Sequence, residues 1–209
     1  MIDPHLFTLF LIATIILLLT PGPAVLYITS RSIEQGRQAG FASVLGISVG
    51  TLFHILATTC GLSLIVMNSP ILFNAIKIIG AAYLIYLGFK TYRQNQLFNF
   101  DNLESTKPDL KKVFVDGIIV NTFNPKAIIF FIAFIPQFLN VEYGHVAQQT
   151  LFYGVCFFFL AMSSDLLYVL ISEALRKFLQ RSANFLKYQK YIVGSIYVGL
   201  GVLTLFTNA

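Results

Sequence analysis

The chain has 209 residues, of which 56% are hydrophobic and only 11% are charged. In a soluble globular domain roughly a quarter of the residues are charged, so this composition excludes a soluble enzyme and a secreted disulfide scaffold. The net charge of +5 comes from short basic clusters between long uncharged runs and not from one basic face, which also excludes a nucleic-acid-binding module. The composition therefore predicts an integral membrane protein with a single compact transmembrane domain over residues 1–209.

Six transmembrane helices are predicted from apolar runs of about twenty residues, the length that crosses a bilayer core of roughly 30 Å. The first run lacks a positively charged start and a small-residue cleavage site, so it is predicted to be a retained helix and not a signal peptide. The predicted spans are residues 5–29, 41–66, 71–92, 114–139, 149–172 and 191–207.

The basic residues predict the orientation of these spans, because Lys and Arg concentrate in the cytoplasmic loops of membrane proteins. Twelve of the fourteen basic residues lie in or beside the connections that follow the first, third and fifth spans. The opposite connections, residues 67–70 and 140–148, contain neither Lys nor Arg. Both termini are therefore predicted to lie outside the cytoplasm.

The longest polar stretch, about residues 93–112, is predicted to be a cytoplasmic linker between two halves of three spans each, about 1–92 and about 113–209. Because each half has an odd number of spans, the second half enters the membrane in the opposite direction, and related halves form an inverted repeat. Proline breaks interrupt the first and the fourth spans alike. The predicted fold is all-α: a polytopic membrane protein of six transmembrane helices arranged as two inverted three-helix repeats.

The two proline breaks predict the position of a binding site. Proline has no backbone N–H, so it leaves a helix carbonyl without its donor. Irregular backbone at membrane depth is tolerated only where protein buries it or where it lines a water-filled cavity. Breaks in corresponding spans of two halves are typical of a central binding site. The predicted substrate-binding residues are Pro21, Gly22 and Pro23 in the first break, and Asn121, Asn124, Pro125 and Lys126 in the second.

Three ionisable side chains are predicted near the membrane midplane. At 1.5 Å per residue, Lys126 lies roughly 15 Å from Asp116 along its helix, Asp165 lies roughly 16 Å from Arg176, and His54 lies at a similar depth. Such groups usually face the bundle interior and mark a substrate or proton path. Lys126 is predicted to hold a substrate carboxylate and Asp165 to carry a proton, with His54 as a relay. A structural ion pair and a buried core histidine are the alternatives.

No metal ion and no organic cofactor is predicted. Cys60 and Cys156 lie inside apolar runs and form no metal-ligand or redox motif. An intramembrane enzyme that uses Ser164, His54 and Asp165 is disfavoured, because adjacent helical residues point about 100° apart and no Gly-x-Ser-x-Gly elbow is present. A passive channel for small solutes remains an alternative to a carrier.

Several motifs, in their order and spacing, resemble the LysE/RhtB family of amino-acid exporters over essentially the whole chain. They are Thr20-Pro-Gly-Pro23, Gly36-Arg-Gln-Ala-Gly40, residues 46–54, residues 80–88, Asn124-Pro-Lys126, Pro136-Gln-Phe138 and Asp165. The resemblance implies export of amino acids or close derivatives across the bacterial inner membrane in exchange for protons, with both termini periplasmic. His54, Lys126 and Asp165 are similar to positions of the homoserine/threonine type, from which the proline-rich first break departs. Whether the chain forms a homo-oligomer is left open.

Overall fold

The computed structural model describes residues 3–20, 22–68, 70–93, 109–181, 188, 191, 194–195, 198–199 and 202. These residues are almost entirely helical, and no strand occurs among them. The elements in chain order are α1 (Pro4–Leu19), α2 (Pro23–Gln35), α3 (Arg37–Asn68), α4 (Pro70–Tyr92), α5 (Leu110–Thr122), α6 (Pro125–Ile129), a π-helical segment (Phe130–Phe134), a 3-10 segment (Ile135–Phe138) and α7 (Val146–Arg181).

The first predicted span is a pair of helices bent at the proline break. The Asp3 carboxylate caps the start of α1 by accepting hydrogen bonds from the backbone N–H groups of His5 and Leu6, at 2.8 and 3.2 Å. Helix α1 ends at Leu19, and α2 begins at Pro23 with its axis turned by 47°. The break lies where the sequence predicts it.

The fourth predicted span is bent in the same way. Helix α5 ends at Thr122, and the side chain of Asn124 caps α6 by accepting a hydrogen bond from the Lys126 backbone N–H at 3.0 Å. Proline suits the first position of a helix because its fixed φ is helical and its missing N–H has no partner there. Pro125 occupies this position in α6, and the two segments meet at 48°.

Two helical stretches in the described part of the chain are long and apolar enough to cross a membrane, Arg37–Gly61 and Val146–Ser172, and there are four if each bent pair forms one span. These four stretches coincide with the first, second, fourth and fifth predicted spans. Helix α4 occupies the position of the third. Most of the sixth, residues 191–207, lies outside the described residues, so the number of six spans and the inverted repeat stay predictions.

Helix α3 is central and packs against α2, α5 and α7. Gly36, at a φ of 84° that favours glycine, forms the turn from α2 into α3. The contact of α3 with α5 is close because a Cβ atom on Gly46 would overlap the carbonyl oxygen of Phe114. Small residues at such positions let helices approach one another in a membrane.

Two apolar clusters lie at different levels of the bundle. The larger one, here called the aromatic cluster, joins α1, the π-helical and 3-10 segments and α7, and it includes Phe10, Phe130, Phe131, Phe134, Phe138, Tyr153 and Phe157. The smaller one joins α2, α3 and α7 through Ile28, Val44, Ile47 and Val169. Residues of both clusters line the cavity that holds the candidate site, which therefore lies between them.

Candidate functional site

A cavity of about 60 Å³ lies where the two breaks meet α3 and α7. Its walls are mostly apolar. Its polar lining residues are Thr51, Asn121, Asn124, Lys126 and Asp165, and its apolar ones are Leu17, Leu18, Ala24, Val25, Ile47, Ala127, Phe130, Phe157 and Ala161. Binding sites for small molecules commonly combine apolar walls with a few convergent polar groups, as this cavity does.

Lys126 connects the second break to the first. Its ammonium group donates hydrogen bonds to the backbone carbonyls of Leu17, at 2.8 Å, and Thr20, at 2.5 Å. The Leu17 carbonyl lacks its usual donor four residues later because Pro21 has no N–H, and it accepts from the Thr20 N–H at 3.1 Å as well as from Lys126. The carbonyl end of a helix also carries partial negative charge, which favours a cation. These two bonds use two of the three ammonium N–H groups and leave the third for a ligand in the cavity.

Gly22 lies against the side chain of Lys126. Its backbone is extended, a conformation that any residue adopts, so backbone freedom does not explain the glycine. A Cβ atom at this position would lie 2.9 Å from Cδ of Lys126, closer than such contacts normally come. The glycine therefore provides the room that lets the lysine reach the end of α1.

Asp165 faces the same cavity from α7, and the residue is only 7% exposed. In the described part of the chain, no hydrogen bond reaches its carboxylate, and no ion pair within 4.0 Å joins it to Lys126. The ion pairs found there connect Arg31 with Glu34 and Asp116, at 3.6 and 3.9 Å. Lys126 and Asp165 thus share one cavity without direct contact, because the lysine is engaged by helix carbonyls.

His54 lies on α3 beside the second break and is not among the residues that line the cavity. Its Nε2 donates a hydrogen bond to the Asn121 carbonyl at 2.9 Å, and its ring stacks on Phe131 with the centroids 5.5 Å apart. The Asn121 carbonyl lacks its usual donor four residues later because Pro125 has no N–H, and it accepts from the Asn124 N–H at 3.1 Å as well as from His54. This geometry matches the buried core histidine, and a proton relay through His54 stays a prediction.

The amide of Asn121 holds the end of α5 on α3. Its Nδ2 donates to the Ile47 carbonyl at 2.8 Å and to Oγ1 of Thr51 at 2.9 Å. Both amide hydrogens are used by the protein, so Asn121 offers a ligand only its oxygen. Pro23 begins α2 and Pro125 begins α6, and Pro23 is not among the residues that line the cavity. Pro21 lies outside the described residues.

The sequence model of the LysE type translocator family matches residues 15–208. The chain belongs to this family. It is therefore a membrane transport protein, and the resemblance found from the motifs is confirmed.

Individual relatives of this translocator cover nearly its whole length. An uncharacterized membrane protein of Bacillus subtilis, YrhP, is 31% identical over 196 residues, which cover 90% of this chain and 92% of the relative. The leucine efflux proteins of Salmonella choleraesuis and Salmonella typhimurium are each 26% identical over 197 residues, which cover 91% of this chain and 90% of the relatives. No solved structure matches the chain.

Two further side chains, which could not be selected from the sequence alone, contact the breaks of this translocator. Tyr168 on α7 donates through its hydroxyl to the Leu19 carbonyl at 3.3 Å, the carbonyl that Pro23 leaves without a helical partner. Thr51 on α3 lines the cavity and accepts from Asn121. The free carbonyl of Leu19 follows from Pro23 in the sequence, but its donor lies 149 residues away and no local signal identifies it.

Proposed function

We propose that this translocator is a secondary transporter that exports amino acids from the cytoplasm in exchange for protons. The observation that carries the proposal is the cavity between the two helix breaks, where one cation and one carboxylate face a mostly apolar space. An amino acid at neutral pH carries one charge of each sign on its backbone. The cavity therefore complements the charges that all amino acids share.

Lys126 is proposed to hold the substrate carboxylate. A cation in a medium of low dielectric attracts an anion more strongly than it does in water. The amino termini of α2 and α6 begin at the two breaks, and the partial positive charge of a helix amino terminus also favours an anion. Gly22, Pro23, Asn124 and Pro125 contribute through these helix starts.

Asp165 is proposed to carry the exchanged proton. Burial favours the neutral form of a carboxyl group, and a cation across the cavity favours its charged form. A substrate that arrives between the two groups shifts this balance, so proton binding and substrate binding become linked. The Asp165 carboxylate has no hydrogen-bond partner in the described part of the chain. No contact there therefore fixes its protonation state, which supports a role in carrying the proton.

The substrate class is proposed to be apolar amino acids, with L-leucine as the first to test. Among the described residues that line the cavity, only Lys126 and Asp165 are charged, and no additional charge is available for a charged substrate side chain. The name of the leucine efflux relatives points in the same direction.

The membrane arrangement is proposed to be six spans in two inverted repeats, about 1–92 and about 113–209, joined by the linker at about 93–112. Both termini are proposed to face the periplasm. The four apolar stretches, the position of α4 and the matching breaks support this arrangement. In a variant without Cys60 and Cys156, single cysteines at Asn68 and Glu142 should react in intact cells with a membrane-impermeant reagent. Reaction of a cysteine at Ser105 under the same conditions would overturn the orientation.

Purified protein in phosphatidylethanolamine–phosphatidylglycerol vesicles tests the function. Vesicles loaded with L-leucine should release it faster than protein-free vesicles, and a proton gradient should drive its movement against a concentration gradient. L-lysine, which carries an additional charge, serves as the control and should move more slowly. Equal rates for both amino acids would refute the substrate class, and movement insensitive to the proton gradient would identify a passive channel.

A further inference from the structure

We propose that the hydroxyl groups of Tyr153 and Thr14 form a polar exit path for the substrate, on the side of the cavity where α1 and α7 begin. This inference rests on the proposed export of amino acids. The path passes through the aromatic cluster, which separates the cavity from that end of the bundle.

Tyr153 is the first observation. The residue is 0% exposed, and its hydroxyl has no hydrogen-bond partner in the described part of the chain. A buried tyrosine hydroxyl normally has one, because a polar group that is buried without a partner lowers stability. The ring packs edge-on against Phe10, with the centroids 4.8 Å apart. A phenylalanine would fill this place at a lower free-energy cost, so the packing seen here does not explain the hydroxyl.

Thr14 is the second observation, on the facing helix. It is 0% exposed, and its Oγ1 also has no partner among the described residues. Thr8, Thr20 and Thr51 donate to the carbonyl four residues earlier, at 2.9, 2.9 and 3.1 Å, whereas Thr29 on α2 is buried without a partner among the described residues, as Thr14 is. Thr14 precedes Leu17 by three residues and so shares the face of α1 that lines the cavity.

The position of Tyr153 on α7 places its hydroxyl beyond the cavity. Phe157, Ala161 and Asp165 follow it at intervals of four residues, and all three line the cavity. Residues at this spacing lie on nearly the same helix face, about 6 Å apart along the axis. Tyr153 is therefore one turn farther from Asp165 than Phe157 is, on the same buried stripe.

A pair of stacked rings separates the cavity from these hydroxyls. Phe130 and Phe157 both line the cavity, and their ring centroids are 4.2 Å apart at an interplanar angle of 29°. Phe130 begins the π-helical segment Phe130–Phe134. Such segments recur at functional sites in helices. Displacement of the Phe130 ring would connect the cavity with Thr14 and Tyr153, whose hydroxyls can bond either charged group of an amino acid.

Transport measurements on Tyr153→Phe and Thr14→Val give the first test. Each variant deletes a hydroxyl without a partner, so the melting temperature should not fall and binding of L-leucine to the purified protein should be unchanged. The efflux rate from loaded vesicles should fall by about tenfold, the loss expected for one hydrogen bond in the rate-limiting passage. Tyr143→Phe, at an exposed tyrosine in the connection before α7, is the matched control and should keep the wild-type rate. Wild-type efflux by both variants, or a lower melting temperature, would overturn the path.

Thiol labelling gives a second test that does not depend on the substrate. In a variant without Cys60 and Cys156, a cysteine at Thr14 should react with a membrane-impermeant reagent added from outside, although Thr14 is buried in this structure. A cysteine at Ala39, buried near the other end of the bundle, should not react. Reaction at Thr14 in a protein that exports no amino acid would keep the path and refute the proposed function. Absence of reaction in a protein that exports L-leucine would refute the path alone.

Discussion

Replacement of Asp165 by asparagine tests how proton movement drives export. Asparagine has nearly the same shape as aspartate but cannot exchange a proton at neutral pH. Because the residue is 7% exposed and its carboxylate has no partner in the described part of the chain, the variant should fold at least as stably as the wild type. The substitution therefore isolates the proton step from the structure of the bundle.

The expected magnitude follows from the coupling of one proton to one substrate. One pH unit corresponds to about 1.4 kcal/mol, which sustains about a tenfold concentration ratio of substrate across the membrane. Wild-type vesicles under a gradient of about one pH unit should approach this ratio. Asp165→Asn should lose the gradient-driven accumulation and show no net ratio across the membrane, because nothing then ties substrate movement to the proton.

Two measurements separate a proton-carrying role of Asp165 from a role in substrate binding. The first is accumulation of radiolabelled L-leucine in vesicles under an imposed pH gradient, and the second is exchange of labelled for unlabelled L-leucine without a gradient. Asp165→Asn should lose accumulation and retain exchange. Accumulation at the wild-type ratio would show that Asp165 is not the proton site. Loss of both activities in a stably folded variant would show that the carboxylate serves substrate binding and not proton transfer.

Substitutions at Lys126 and His54 test how the breaks are held, and substitutions at Gly46 and Gly61 test the packing of α3. Lys126→Met removes two charge-assisted hydrogen bonds to α1, so it should abolish L-leucine efflux and lower the unfolding free energy by about 3 kcal/mol; wild-type efflux by a stable variant would refute its role. His54→Phe removes one of the two hydrogen bonds to the Asn121 carbonyl and should lower the unfolding free energy by about 1 kcal/mol, whereas His54→Gln keeps a donor and should retain gradient-driven accumulation. Loss of accumulation in the glutamine variant would instead support a proton relay. Gly46→Ala should be destabilising by about 1 to 3 kcal/mol in thermal unfolding because its Cβ would overlap the Phe114 carbonyl. Gly61→Ala is the matched control, because a Cβ atom at Gly61 would have no atom within 4 Å, and it should not be destabilising. Equal effects of the two substitutions would contradict the packing argument.

The breaks and the central position of the site could be predicted because proline acts locally. A missing N–H and a fixed φ end a helix at a known residue whatever surrounds it, and both breaks lie where the sequence places them. Depth along a helix is equally local. From depth alone the sequence predicts that Lys126 and Asp165 lie at a similar distance from the membrane surface. In the structure both residues line one cavity.

The partners of these side chains could not be predicted because they depend on which helices pack together. Lys126 bonds a carbonyl 109 residues away, and His54 bonds one 67 residues away. The charge of Lys126 suggested a pairing with Asp165, yet the ammonium bonds two neutral carbonyls instead. The ammonium reaches those carbonyls only because the start of α6 lies beside the end of α1. No motif in either segment predicts this contact.

The backbone carbonyls freed by the breaks explain why the polar side chains lie where they do. Each of these carbonyls has lost the N–H donor four residues later, and at membrane depth water does not replace it, so a donor from another helix completes the hydrogen bonding. The Leu17 carbonyl receives the Lys126 ammonium, the Leu19 carbonyl receives the Tyr168 hydroxyl, and the Asn121 carbonyl receives the His54 ring. Each donor comes from a different helix than its acceptor, so the two breaks are held by side chains from α3, α6 and α7 together. A substrate carboxylate that binds the third N–H of Lys126 contacts the same ammonium that holds the carbonyls of α1. Substrate binding at this site therefore acts directly on the contact that joins the first break to the second.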